Sequence, residues 1–254
     1  MQRVSFLFFL IAFSIPAGGS GQDAAWLALR EPQWHRDNYG SGKRFRLTGL
    51  ARQFFCTSEW NVAGIGFSYQ ARQGVSSLFI LRDGIPSFSW WHLYLSHSQS
   101  FNKITTILQL RFSGILVADR PPACRLGGNL GIDLPVGGST RIGLTVWDFP
   151  GFLFPRAALA RGDPMIRLQT LHSPGRQLDL LWALDLSPAH PGPLYMGVRM
   201  RINDQLSLSG LARILQPGFT LGISWNLRGT QLVFLTDEGS GVGLTPTIVA
   251  SRGG

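Results

Sequence analysis

Phe219, Leu221, Ile223, Trp225 and Leu227 occupy every second position of one stretch and alternate with Thr220, Gly222, Ser224 and Asn226. A two-residue period puts one set on each face of a β-strand, whereas a helix would spread both sets around its circumference. The same period runs through Met196, Val198, Met200 and Ile202 against Gly197, Arg199 and Arg201. It recurs in Leu178, Leu180, Trp182, Leu184 and Leu186 against Asp179, Leu181, Ala183 and Asp185. Shorter examples are Leu130, Ile132 and Leu134, and then Ile142, Leu144 and Val146. The apolar set carries no charge, while the other holds Gly, Ser, Thr, Asn and charged residues. One face therefore suits hydrocarbon and the other a wet or crowded interior.

Between these runs sit residues that tolerate tight turns, such as Asn203-Asp204, Arg228-Gly229 and Val136-Gly137-Gly138. Reading run against turn predicts strands over 43–55, 60–71, 75–82, 86–96, 103–116, 127–134, 139–148, 164–172, 176–186, 194–202, 205–214, 218–227, 230–236 and 242–250. That is about fourteen, with twelve as the alternative count because 43–104 is irregular. The expected fold is all-β, a closed antiparallel transmembrane barrel. Turns at 135–138, 173–175, 203–204 and 228–229 would lie at one end. Loops at 117–126, 149–163 and 187–193 would lie at the other, which matches the short inner turns and long outer loops of such barrels.

Composition agrees. The 254 residues are 44% hydrophobic but only 15% charged, against about 25% for an ordinary soluble domain. No run of eighteen apolar residues follows the N-terminus, so apolarity is dispersed over many strands rather than gathered into a membrane helix. A soluble secreted β-sandwich would give similar totals and stays open at this point. The formal charge of +9 is scattered rather than clustered, which excludes a nucleic-acid interface.

The start reads as a signal peptide over 1–21. Arg3 precedes the apolar run Val4 to Ile15, and small residues follow from Ala17 to Gly21. The expected order is then an N-terminal segment over 22–42, lying in the periplasm or plugging the lumen, a barrel over 43–250 and a tail over 251–254. The expected location is the outer membrane of a Gram-negative-type bacterium.

The hairpin from Gly128 to Leu134 and from Thr140 to Val146, together with Leu194 to Ala250, resembles the FadL-like outer-membrane barrels of the PorV type, a family associated with type IX secretion. Ala24-Ala25-Trp26-Leu27 and Tyr39-Gly40 are weakly similar to that family's opening segment. The resemblance covers about half the chain. It implies either a passive route for small or hydrophobic solutes or a membrane-embedded partner of a secretion machine, with the N-terminal segment as a hatch. The chain departs from the family in Arg30 to His35, where glycines would stand, and in ending at Ser251-Arg252-Gly253-Gly254 without a terminal aromatic.

Several residues are candidates for that work. Asp133, Arg141, Asp179, Arg199 and Arg201 share the inward parity near one end of their strands, as a charged gate or a closed ion network would require. Cys56 and Cys124 are the only cysteines, and an exported chain permits a disulfide between them. Phe149, Phe152 and Phe154 offer an apolar loop to a partner or substrate. Trp90, Trp91 and Trp225 are candidates for an aromatic girdle against lipid headgroups. His92 would point inward with Tyr94 and Ser96.

No phosphate loop, metal-ligand cluster or nucleophile elbow is present, so the chain is expected to be neither an enzyme nor a cofactor carrier. The expected partners are outer-membrane lipid, a small or hydrophobic solute, and secretion-system or other envelope proteins. The alternatives are a structural or adhesive barrel and a lipid-modifying barrel enzyme acting through His92.

Overall fold

A computed structural model describes residues 45–53, 61–71, 74–102, 104–118, 121–149, 164–187, 191–214, 218–227, 230–239 and 243–253. The signal peptide 1–21, the segment 22–42, Cys56, Phe152 and Phe154 lie outside them. The strands are β1 (Phe45–Gln53), β2 (Asn61–Gln70), β3 (Gly74–Ile85), β4 (Phe88–Phe101), β5 (Ile104–Val117), β6 (Ala123–Val136) and β7 (Thr140–Trp147). They continue as β8 (Met165–His172), β9 (Leu178–Leu186), β10 (Pro191–Arg201), β11 (Leu206–Arg213), β12 (Gly218–Leu227), β13 (Thr230–Gly239) and β14 (Gly243–Gly253). Each pairs antiparallel with its sequence neighbours, and β1 pairs with β14, so the sheet closes on itself. Closure decides against the β-sandwich.

Burial follows the two-residue period around the wall. On β12, Phe219, Leu221, Ile223 and Trp225 are exposed, whereas Thr220, Gly222 and Ser224 are buried. The exposed large side chains are overwhelmingly apolar, among them Ile65, Leu108, Leu144, Val198 and Phe234. The buried set is rich in Ser, Thr, Gln, Asn, Arg and Asp. This inverts a soluble protein: the apolar face is outside, where lipid would meet it, and the polar face lines the lumen.

All connections at the end where β1 begins are short, at 71–73, 102–103, 137–139, 173–177, 202–205 and 228–229. The opposite end carries the longest connections, at 54–60 and 148–164. Below, these are the short-turn and long-connection ends. Gly137 adopts φ 75° in the turn after β6, where a side chain would be strained. Asn102 takes the left-handed region between β4 and β5 at φ 55°, a conformation Asn tolerates better than most residues.

Several boundaries differ from expectation. The β3–β4 turn falls at Pro86-Ser87, not at 83–85. Asp83-Gly84 looks like a turn but stays in the ladder, because Gly84 at φ 130° lets the strands approach. A Cβ there would meet the Phe88 carbonyl oxygen at 2.3 Å. β6 starts at Ala123 instead of 127, which shortens the connection expected over 117–126. The barrel also continues beyond 250, since Ser251, Arg252 and Gly253 pair with Thr48, Leu47 and Arg46.

The inverted wall predicts a depth-dependent cost for outward charge. Leu221, near mid-strand, should lose about 2–4 kcal/mol of unfolding free energy on replacement by Arg, and Phe45, at the strand start, about 0–1 kcal/mol. Urea unfolding in lipid vesicles measures both.

Candidate functional site

The inward residues form three layers. Arg46, Asp133, Arg141, Asp179, Arg199 and Arg201 stand near the short-turn end of their strands. Arg52, Asp83, Arg111, Arg125, Asp148, Arg167, Asp185 and Arg213 stand toward the long-connection end. Between them the described inward positions carry no charge and are small, amide or apolar, such as Thr48, Phe79, Gln109, Thr145 and Leu181. Leu181 packs with Ala183, Tyr195 and Leu211, and Leu171 leans on them.

The five charges singled out from sequence all face inward at the short-turn end, but in two groups rather than one ring. Arg141 Nη2 donates to Asp133 Oδ2 at 2.6 Å between β7 and β6. Asp179 on β9 accepts from Arg199, from Arg201 at 2.5 Å and from Ser173 Oγ at 2.5 Å. Arg201 also donates to the Arg176 carbonyl. Leu171 on β8 shares the inward parity between the two groups.

Sequence reasoning missed the opposite layer. Arg167 on β8 is bound by both of its donor edges to Asp185 on β9, with Nε to Oδ1 at 2.5 Å. Tyr195 Oη donates to Asp185 Oδ2 at 3.2 Å. The Arg167 guanidinium lies 5.2 Å from the Tyr195 ring centre and 5.5 Å from that of Trp147. The ion pair is almost fully buried, at 1% and 2% exposure, so its stability rests on geometry and complete pairing rather than on solvent. A charge at inward parity was the available signal for Arg167 and Asp185.

The second cluster joins β5, β6 and the residue after β7. Arg111 Nη2 donates to both oxygens of Asp148, at 2.8 and 3.0 Å, and Arg125 Nη2 donates to Oδ2 at 2.8 Å. The Asp148 N–H donates to Asn129 Oδ1 at 2.9 Å, and Asn129 Nδ2 donates to Gln109 Oε1 at 2.8 Å. Asp148 has φ 49°, so this chain of contacts holds a non-glycine residue in the left-handed region. Asp148 lies beyond the last alternating residue of β7, where periodicity carries no signal.

His92 points inward as expected, with Tyr94 beside it, while Trp91 and Leu95 face outward. Its Nδ1 is hydrogen-bonded to Ser113 Oγ at 2.8 Å. Trp90 corrects one expectation: it stands on the inward side of β4 and stacks on His92 at 6.2 Å, so it is not part of an outward girdle. Adjacent strand residues must point to opposite faces, and Trp91 took the outer one. Trp91 and Trp225 are 41% and 47% exposed and sit toward opposite ends of the barrel.

Cys124 is a free, exposed thiol on the outward face of β6, and its expected partner Cys56 lies outside the described residues. Phe149 is half-buried rather than projecting. Its ring lies where a side chain on Gly128 would meet it at 2.6 Å. Among the described residues no three His, Cys, Asp or Glu side chains are placed to hold a metal ion.

Breaking one side of the deepest pair should be costly. Asp185→Ala leaves Arg167 buried beside two aromatic rings and is expected to lose about 3–5 kcal/mol, whereas the double replacement Arg167→Met with Asp185→Leu should recover most of it. Denaturant unfolding of the refolded barrel checks both.

No family model matches the chain, and no curated protein does. Solved structures do. The Pseudomonas putida toluene transporter TodX superposes with a TM-score of 0.61 at 8% identity, over 88% of this chain and 91% of that one. The Acinetobacter baumannii outer membrane protein Omp33 superposes with a TM-score of 0.56 at 7% identity, over 84% of this chain and 98% of that one. At such low identity the likeness concerns the fold, and the fold is that of outer-membrane β-barrels.

Proposed function

We propose that the chain is a non-enzymatic outer-membrane barrel that passes small solutes, with the short-turn end in the periplasm and the long connections outside. One observation carries this reading: a closed wall with an apolar exterior and a polar interior, in which an uncharged belt separates two charged layers. A barrel that served only as an anchor or adhesin would need the exterior but not a layered lumen. TodX, which shares the fold, is by its name a toluene transporter, and this favours a small and partly hydrophobic cargo. Outer-membrane lipid is the outward partner, with Trp91 and Trp225 as the aromatic contacts near the two interfaces.

The finer assignment to the PorV type, with a role beside a secretion machine, rests on sequence pattern alone. His92 and Ser113 lie together, but among the described residues the other ring nitrogen of His92 has no hydrogen-bond partner to orient it. A lipid-modifying dyad needs such a group, so solute passage is the preferred reading.

Proteoliposomes containing the chain should swell in iso-osmotic arabinose well above the rate of protein-free vesicles. Equal rates would favour the structural or adhesive alternative. The gate role of Asp133, Arg141, Asp179, Arg199 and Arg201 has its own test in planar bilayers. Replacing Arg199 and Arg201 by Ala should change conductance and ion selectivity, and unchanged values would reduce the cluster to a structural ion network.

A further inference from the structure

We infer that Arg111, Arg125, Asp148 and His92 form a binding site for a monoanionic carboxylate with a flat apolar body, at the long-connection mouth of the lumen. The site stands on its own geometry, and its place in transport rests on the solute-passage reading above.

Charge balance comes first. Two guanidinia share one carboxylate, so the cluster keeps a surplus of one positive charge. Arg125 retains 36% of its side-chain exposure, which leaves that surplus within reach of a solute. The other clusters differ. Arg167 meets the carboxylate of Asp185, and Arg141 that of Asp133. Asp179 also meets two arginines and carries the same surplus, but it is shut away, with Arg199 at 0%, Asp179 at 1% and Arg201 at 15% exposure. A planar guanidinium matches a carboxylate edge to edge, and a single surplus charge matches a single anion.

The arrangement is also built rather than incidental. Asp148 is held in the left-handed region by Asn129, itself tied to Gln109, and such conformations concentrate at functional sites. Position 127 must be glycine for the carboxylate to lie where it does. A Cβ there would stand 2.5 Å from Asp148 Oδ1 and 3.0 Å from Arg111 Nη2.

The apolar wall is next to the charges. Cross-strand pairing sets His92, Ser113 and Arg125 in one row and Tyr94, Arg111 and Gly127 in the next. Trp90, His92 and Tyr94 form a run of rings on the same face, with successive centroids 6.2 and 5.9 Å apart. His92 and Tyr94 are buried behind Trp90, so Trp90, half-buried at the mouth end of the row, is the ring that a flat apolar partner would meet. His92 is 2% exposed, yet among the described residues its Nε2 has no hydrogen-bond partner. A buried polar atom left in that state is suited to accept or donate one to a ligand.

Titration of the full-length chain in lipid nanodiscs with benzoate, followed by tryptophan fluorescence, tests the site. Saturable binding is expected for benzoate and not for benzyl alcohol, its uncharged counterpart. Arg125→Gln removes the surplus charge and should weaken benzoate binding about tenfold, as loss of a charged hydrogen-bonding partner does. Asp148→Asn, which keeps a residue tolerant of the left-handed region, doubles the surplus and should tighten binding. A purely structural ion network would be damaged by both replacements, so weakening by both, or no benzoate binding at all, overturns the inference. Reversal potentials in a potassium chloride gradient separate the two readings. Benzoate binding without conductance would refute solute passage and leave the site, and conductance without benzoate binding would refute the site alone.

Discussion

A backbone amide in hydrocarbon has no water to turn to, and every strand here must find all of its partners in neighbouring strands. The β1–β14 pair is therefore the joint on which the rest depends. Without it two edges would present unpaired N–H and C=O groups to lipid. With it, closure forces the side chains of every strand to divide between two environments, so the alternation at Phe219–Leu227 and the pairing of Thr48 with Ser251 are consequences of one constraint.

Once the outer face is committed to lipid, polar chemistry can only collect inside. It collects at two depths, with the uncharged belt between them. The deeply buried Arg167–Asp185 pair is clasped by Trp147 and Tyr195, as a wall component needs to be. The Asp148 cluster is unbalanced, more open, and built on a strained residue beside a row of rings. The closed clusters shape the lumen, and the open one gives it a chemical preference.

Much of this was legible in the sequence. Alternation was cleanest on β9, β10 and β12, where lipid-facing residues are long and lumen-facing ones are small or charged, and there the strands fall close to expectation. It blurred on β4, where Ser96 to Ser100 are polar on both faces near the short-turn end, and where Trp90 and Trp91 sit on opposite sides. Asp83-Gly84 misled because glycine serves close strand approach as readily as it serves a turn. The inward parity of Asp133, Arg141, Asp179, Arg199 and Arg201 was readable, but their division into two groups was not, because it depends on side-chain reach past the uncharged Leu171 of β8 that stands between them. Asp148 was invisible, since its role comes from a backbone conformation and from glycine at 127.

The central claim is that the two faces of each strand meet lipid and lumen respectively. Nitroxide labels placed one at a time along Phe219 to Asn226, in a background with Cys56 and Cys124 replaced by Ser, test it in reconstituted membranes. The fold predicts accessibility to oxygen that peaks at 219, 221, 223 and 225 and falls at 220, 222, 224 and 226. A flat profile, or peaks at the even positions, would contradict the account.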